Sequence, residues 1–241
     1  MARVTVNGEL IETVMRRASE GFLAPAAFRR PYVWGQDDVE RFWASLLRGW
    51  PTGQFLIWRP PEGTDLAGAS RGRIGPVQPH YARRFSILLD GQNRLATFAW
   101  SMAPFDAPGP SDMTQAERAT WRSGKALVAD PEARAIRFVP AAEAESGNRV
   151  PVRALFENAL LWSRVMRTPG RVVPQAHLDW FDQATRAMMD ARCHVTELVN
   201  LPPQEALDAF RHLARAGVAM ADEEFEAAMA WALPSSRRGG T

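Results

Sequence analysis

The chain has 241 residues, 46% hydrophobic, 23% charged and 10% aromatic, enough for a packed core in one large domain or two small ones. Its single cysteine excludes a disulfide framework and a cysteine-rich zinc site, and no apolar run reaches the roughly 18 residues of a membrane span. A formal charge of +2 is too small to argue for nucleic-acid binding by itself.

The opening stretch MARVTVNGELIETVMRR lacks an apolar core and a small-residue cleavage site, so the expected compartment is the cytoplasm. Residues 9–20 carry Leu10 and Val14 at helical spacing and predict a helix. Phe22 to Phe28 is apolar and broken by proline, and predicts extended chain. Over residues 36–49, Val39, Phe42, Trp43, Leu46 and Leu47 fall on one helical face. Gln54 to Trp58 predicts a strand, and the Pro, Gly, Arg and Ser content of residues 60–81 predicts a long surface loop. Phe85 to Leu89 predicts a second strand, running directly into a helix from Gln92 to Met102. A Pro/Gly loop at 103–112 marks the expected boundary between a region of residues 1–110 and one of residues 111–241. Beyond it, Lys125 to Val128 and Ala135 to Val139 suit a hairpin around Asp130-Pro131. Helices are expected over 152–167, 174–190, 203–215 and 221–232, with one strand from His194 to Val199 and a disordered tail SSRRGGT. The fold class expected is α+β, a mixed α/β N-terminal half with a mostly helical C-terminal half.

The segment best suited to chemistry is Ile87-Leu-Leu-Asp90-Gly91-Gln92-Asn93-Arg94-Leu-Ala-Thr97. A buried strand ends in an acid and a glycine, and amides and an arginine open the helix that follows. Free N–H groups at a helix N-terminus attract phosphate, and Gly91 permits close approach of the backbone to a ligand. Arg94 can fork onto phosphate oxygens, Asp90 can hold a magnesium ion or orient a water, and Gln92 and Asn93 can bind a base, ribose or water. The same residues also suit an ordinary strand-to-helix turn. Upstream, Phe28-Arg29-Arg30-Pro31-Tyr32-Val33-Trp34 places arginines beside two aromatics. Tyr32 and Trp34 suit a clamp on a base, with stacking contributing roughly 1–3 kcal/mol per base, and equally suit core anchors.

Other polar groups point elsewhere. Cys193 lies in an apolar stretch and reads as an inert buried thiol. His80, His177, His194 and His212 are scattered without metal-ligand spacing, and no HNH-like cluster, Walker A sequence or GxSxG elbow is present. Asp37, Asp38 and Glu40 open a helix and read as capping groups, as do Asp222, Glu223 and Glu224.

Taken together, Arg30, Tyr32 and Trp34, the turn Pro51-Thr-Gly53, and Asp90, Gly91, Gln92, Arg94, Leu95 and Thr97 resemble the GmrSD restriction endonuclease N-terminal domain family. That family, domain-of-unknown-function family 262, carries a QR-x-Y-x-W stretch, a P-x-G turn and a DGQQRL-T-L hallmark. A later stretch, Phe210 to Met220, is similar to the family's F-x-R-x-N-x-x-G-x-x-L pattern, with His212 and Ala214 replacing its arginine and asparagine. Arg29 stands for the first glutamine of the QR pair, and Asn93 for the second glutamine of the hallmark.

The resemblance implies a ParB/sulfiredoxin-like fold and a nucleoside triphosphate as ligand or substrate with Mg2+. It also implies a role in defence against foreign DNA beside a separate nuclease. On it, Asp90, Gln92 and Arg94 form the reactive cluster, with Asp90 at the metal. Arg30, Tyr32, Trp34, Gly53, Gly91, Asn93 and Thr97 contribute to nucleotide binding. The substituted positions also fit a catalytically inert module that binds DNA or a protein. A DNA-binding protein that cuts unaided is disfavoured by the missing nuclease residues.

Overall fold

The computed structural model describes residues 1–28, 30–70, 72–77, 81–165 and 172–215. In chain order the elements are β1 (Arg3–Leu10), α1 (Ile11–Ser19), β2 (Leu23–Pro25), α2 (Gln36–Leu47), β3 (Gln54–Arg59), β4 (Ser86–Asp90), α3 (Gln92–Met102) and α4 (Gln115–Trp121). They continue with β5 (Lys125–Asp130), β6 (Ala135–Pro140), β7 (Val150–Pro151), α5 (Asn158–Val165), α6 (Gln175–Met189), β8 (Arg192–Val199) and α7 (Pro203–Arg215). The fold is α+β, as the mixture of periodicities implies.

A five-stranded sheet has the order β1-β8-β3-β4-β2, and a three-stranded sheet the order β6-β5-β7. Strand β8 pairs antiparallel with β1 and parallel with β3, so a strand near the end of the described chain completes the sheet begun at its start. The apolar runs of β3 and β4 are continuous because the sheet is covered on both faces. Phe55, Ile57 and Leu88 point into one core, with Val14 of α1, Trp43 of α2, Phe98 of α3 and Val195 of β8. Leu56, Trp58, Ile87 and Leu89 point to the other, with Leu207 and Phe210 of α7.

Several boundaries differ from expectation. The helix predicted over 9–20 begins at Ile11, because residues 3–10 are recruited as a strand by β8. The helix predicted over 152–167 opens as a 3-10 turn, Val152–Leu155, before α5. Helix α4 was not anticipated, although Thr114 and Glu117 form a capping box: the Thr114 hydroxyl accepts from the Glu117 N–H at 3.1 Å, and Glu117 accepts from the Thr114 N–H at 2.9 Å. Residues 221–232, the tail SSRRGGT, and His80 lie outside the described residues.

The segment 60–81 is not purely a surface loop. Ala69, Arg73 and Ile74 are buried. The Arg73 guanidinium donates to both carboxylate oxygens of Glu117, at 2.7 and 2.9 Å, and to Asp112 at 2.7 Å. The Trp100 indole N–H of α3 reaches the same Glu117 carboxylate at 3.3 Å. A charge can be buried when a fixed partner and further donors satisfy it, and composition statistics miss such a pair. Burial pushes the Glu117 carboxyl up, but the hydrogen bonds from Arg73, Thr114 and Trp100 outweigh it and the net direction is down. Asp130, which closes the β5–β6 hairpin, behaves alike: burial raises it, Arg149 and Arg137 lower it more.

Replacing Arg73 by Ala strands the Glu117 carboxylate and should cost about 3–5 kcal/mol in urea unfolding. Because Glu117 and Asp130 titrate lower folded than unfolded, their stabilisation is fully present above the ordinary carboxylate range and is lost as pH falls from that range through their lowered folded values. The melting temperature of the wild type should therefore drop on acidification, and that of Glu117→Gln should start lower and drop less.

Candidate functional site

The DGQNR segment occupies the junction of β4 and α3. Asp90 is the last residue of β4 and is exposed. The β3–β4 register shifts between Leu56 and Ile57, a bulge that ends regular pairing beside Asp90. The Asp90 carboxylate has no hydrogen-bond or ion-pair partner among the described residues.

Gly91 follows with φ 97° and ψ 9°, a left-handed conformation that an L side chain rarely adopts. A Cβ there would also collide with the ring of Phe55. Packing and backbone geometry thus account for the glycine without a ligand. Gly91 caps α3 without a side chain, and the first intrahelical bond is Leu95 N–H to the Gly91 carbonyl at 3.1 Å. The amides of the first turn therefore receive no side-chain cap.

The next residues of α3 tie three segments together. Gln92 donates through Nε2 to the Leu88 carbonyl at 3.0 Å, while its Oε1 is buried without a partner. Asn93 Oδ1 accepts from the Val33 N–H at 3.3 Å. Arg94 donates to the Gln54 carbonyl at 3.0 Å, and its guanidinium lies against Gly53. Gly53 has φ 92°, and a Cβ on it would stand 2.6 to 2.8 Å from the guanidinium atoms. The P-x-G turn and the hallmark arginine are one contact. Thr52 of that turn also holds a buried hydroxyl with no partner.

One turn further, Thr97 is buried, and its hydroxyl meets the Tyr32 hydroxyl at 2.9 Å. Burial pushes the Tyr32 phenol up to about 12, so it stays neutral. Tyr32 is 4% exposed, which leaves no ring face for a base, and Trp34 packs against Phe42 with ring centroids 5.8 Å apart. Tyr32 is a core anchor, while Trp34 is half-buried and packs against the edge of that core. Arg30, two residues before Tyr32, is exposed. Of the predicted residues, Gly53 and Arg94 are in contact, as are Tyr32 and Thr97, and Asn93 joins α3 to the Tyr32–Trp34 segment.

Residues 11–166, more than half of the chain, match the family described as GmrSD restriction endonuclease, N-terminal domain. The chain belongs to that family. The match spans the Arg30–Trp34 segment, the Pro51–Gly53 turn and the DGQNR hallmark, and ends before the Phe210 stretch. Membership makes this a domain of the restriction and phage-defence type. The comparison with curated proteins gives no match. Phe210 itself is buried, its ring 5.1 Å from that of Phe28, so the late stretch packs beside the start of the arginine segment. Gly217 and Met220 lie outside the described residues, as does Arg29.

The remaining polar candidates are structural. Asp38 accepts from the Gly35 N–H at 3.0 Å and pairs with Arg41 at 2.6 Å, and Arg41 and Gly35 together hold its carboxyl down. Glu40 accepts from the Phe138 N–H at 2.7 Å. Cys193 is buried, and burial raises its thiol to about 12. No group of three metal-ligating side chains occurs among the described residues, and no helix among them is long and apolar enough to cross a membrane. A groove of about 1280 Å³ lies at the opposite end of β3 and β4, lined by Arg17, Arg59, Arg83 and Arg84. Glu197 pairs with both Arg17 and Arg59, and Glu62 with Arg84, which leaves an excess of positive charge, and the hallmark residues do not line the groove.

Gly91→Ala should destabilise the domain by more than the roughly 1–2 kcal/mol of a left-handed alanine, because Phe55 must also move. Gly63→Ala is the control, since Gly63 has φ 80° and open space around it. Equal losses of melting temperature in the two variants would remove Phe55 from the account.

Proposed function

We propose that this domain binds and hydrolyses a nucleoside triphosphate, as the switch component of a restriction or phage-defence system whose DNA cleavage is supplied by a separate nuclease. The observation that carries the proposal is the set of unengaged polar groups at the head of α3. The Asp90 carboxylate, the Gln92 carbonyl oxygen and the first-turn amides all lack side-chain partners among the described residues, beside an arginine that uses one N–H group on Gln54. Buried polar atoms are nearly always satisfied in folded proteins, so an unsatisfied acceptor in the family's hallmark points to a missing partner.

In this reading the first-turn amides and the remaining N–H groups of Arg94 bind phosphate oxygens. Arg30, exposed on the segment held by Asn93 and Tyr32, adds a second cation. The Gln92 carbonyl oxygen accepts a hydrogen bond from the attacking water and orients it. Asp90 would repel a phosphate directly, and its carboxylate is the group of this chain that would hold Mg2+. A bound ion would supply charge neutralisation at the phosphate oxygens. Tyr32, Trp34, Gly53, Gly91 and Thr97 position these groups rather than touch the nucleotide. Four scattered histidines offer no HNH-like centre, which is the reason for assigning cleavage of DNA to a partner.

A second reading is an inert module that binds DNA or protein. It is favoured by the internal bonds already made by Asn93, Arg94 and Thr97. Thermal unfolding with ATP, GTP, CTP or UTP, with and without Mg2+, separates the two. Binding to the folded state adds about 2.7 kcal/mol at a hundredfold excess over Kd, and one nucleotide should give that shift. Arg94→Ala should abolish it, and Asp90→Ala, on an exposed side chain, should keep the fold and lose Mg2+-dependent turnover. Absence of any nucleotide shift would favour the inert module, and full turnover by folded Asp90→Ala would remove Asp90 from the mechanism.

A further inference from the structure

Among the described residues, strand β1 forms one edge of the five-stranded sheet and pairs only with β8. The opposite edge is guarded. There β2 is three residues long and ends in Pro25, and the following loop closes it through an Ala26–Ser70 bridge and an Ala27 N–H to Ala69 carbonyl bond of 2.9 Å. No such guard covers β1 among the described residues. It runs for eight residues, RVTVNGEL, with no proline or lysine. Val4 and Val6 are 58% and 66% exposed. An edge with unpaired N–H and C=O groups and exposed β-branched side chains is a template for another strand, and folded proteins usually blunt it.

The strand's own sequence specifies which strand it fits. Antiparallel pairing of two copies about a two-fold axis at Val6 sets Arg3 opposite Glu9 of the second copy, Val4 opposite Gly8, Thr5 opposite Asn7, and Val6 opposite Val6. Symmetry makes the Arg3–Glu9 pair occur twice. A register shift of two residues in one direction sets Arg3 against Asn7, and in the other sets Glu9 against Thr5, so both lose the ion pairs. Arg3 has no ion-pair partner in its own chain among the described residues, and Glu9 meets Arg17 at 3.5 Å. Period-two alternation places Val4 and Val6 of both copies on one face, where they form a shared apolar stripe.

We propose that β1 is a self-association surface, joining two copies of this chain edge to edge by antiparallel β1 pairing into one continuous sheet. The inference is independent of the nucleotide site, since β8 and β3 separate β1 from β4 and Asp90.

Sedimentation velocity at micromolar concentration tests it. The wild type should sediment at twice the 26.8 kDa mass of one chain. Arg3→Glu and Glu9→Arg each set two like charges against each other twice, and should weaken dimerisation about tenfold. The combined Arg3→Glu/Glu9→Arg chain should recover the dimer, an outcome that damage to the fold would not produce. Val6→Lys, on an exposed side chain at the axis, should give monomer with an unchanged circular dichroism spectrum. A monomeric wild type across the micromolar range overturns the proposal, whether its β1 amides exchange freely or are protected by another part of the same chain. So does a double variant that dimerises no better than either single one.

Discussion

The hydroxyl contact between Tyr32 and Thr97 is 2.9 Å long, buried, and joins residues 65 apart in sequence. It fixes the segment leading into α2 against the second turn of α3. Asn93 repeats the connection one turn earlier through the Val33 N–H, and Arg94 does the same to the P-x-G turn through Gln54 and Gly53. Two segments distant in sequence, Tyr32–Val33 and Gly53–Gln54, thus converge on one short helix. Because Trp43 of α2 donates to Ser101 at 3.0 Å and Ser101 donates to the Thr97 carbonyl at 2.8 Å, the far end of α3 is held by the same network. A helix fixed along its length can present its N-terminus with little freedom, which a binding site requires.

The hallmark residues divide by this geometry into two kinds. Asn93, Thr97, Gly53 and Gly91 build the junction: their side chains, or lack of one, satisfy contacts inside the domain. Asp90 is exposed with no protein partner among the described residues, Gln92 keeps one buried oxygen without a partner, and Arg94 has one N–H group fixed on the Gln54 carbonyl. Substituting Asn for the family's second glutamine falls in the building group. Its amide oxygen accepts from the Val33 N–H, so the residue at this position makes a structural contact here.

The buried Arg73–Glu117 pair has a comparable role for the long segment between β3 and β4. It draws that segment onto α4 and, through the Trp100 indole, onto α3. Each charge has a further partner, with Asp112 accepting from the guanidinium and the Thr114 N–H donating to the carboxylate, which is what allows two charges to be buried together.

Local order was legible in the sequence. Helix α3 begins at Gln92 and ends at Met102 as its pattern implies, because a strand, Asp-Gly and a helix-forming run closed by Ala103-Pro104 follow one another within a few residues. The same holds for α2, β3 and the β5–β6 hairpin, where periodicity and turn chemistry act over short windows. The hallmark residues and the family they belong to could also be read directly. Tertiary structure alone decided the rest. Strand β1 exists because β8, more than 180 residues later, pairs with it, and its own residues give only the apolar positions Val4, Val6 and Leu10. Tyr32 could be a base platform or a core anchor until Thr97 and the surrounding helices closed over it. Arg73 had no recognisable partner in its Gly- and Pro-rich surroundings, since Glu117 lies 44 residues away. Periodicity and capping are set by neighbours along the chain, whereas strand partners and buried charge pairs are set by neighbours in space.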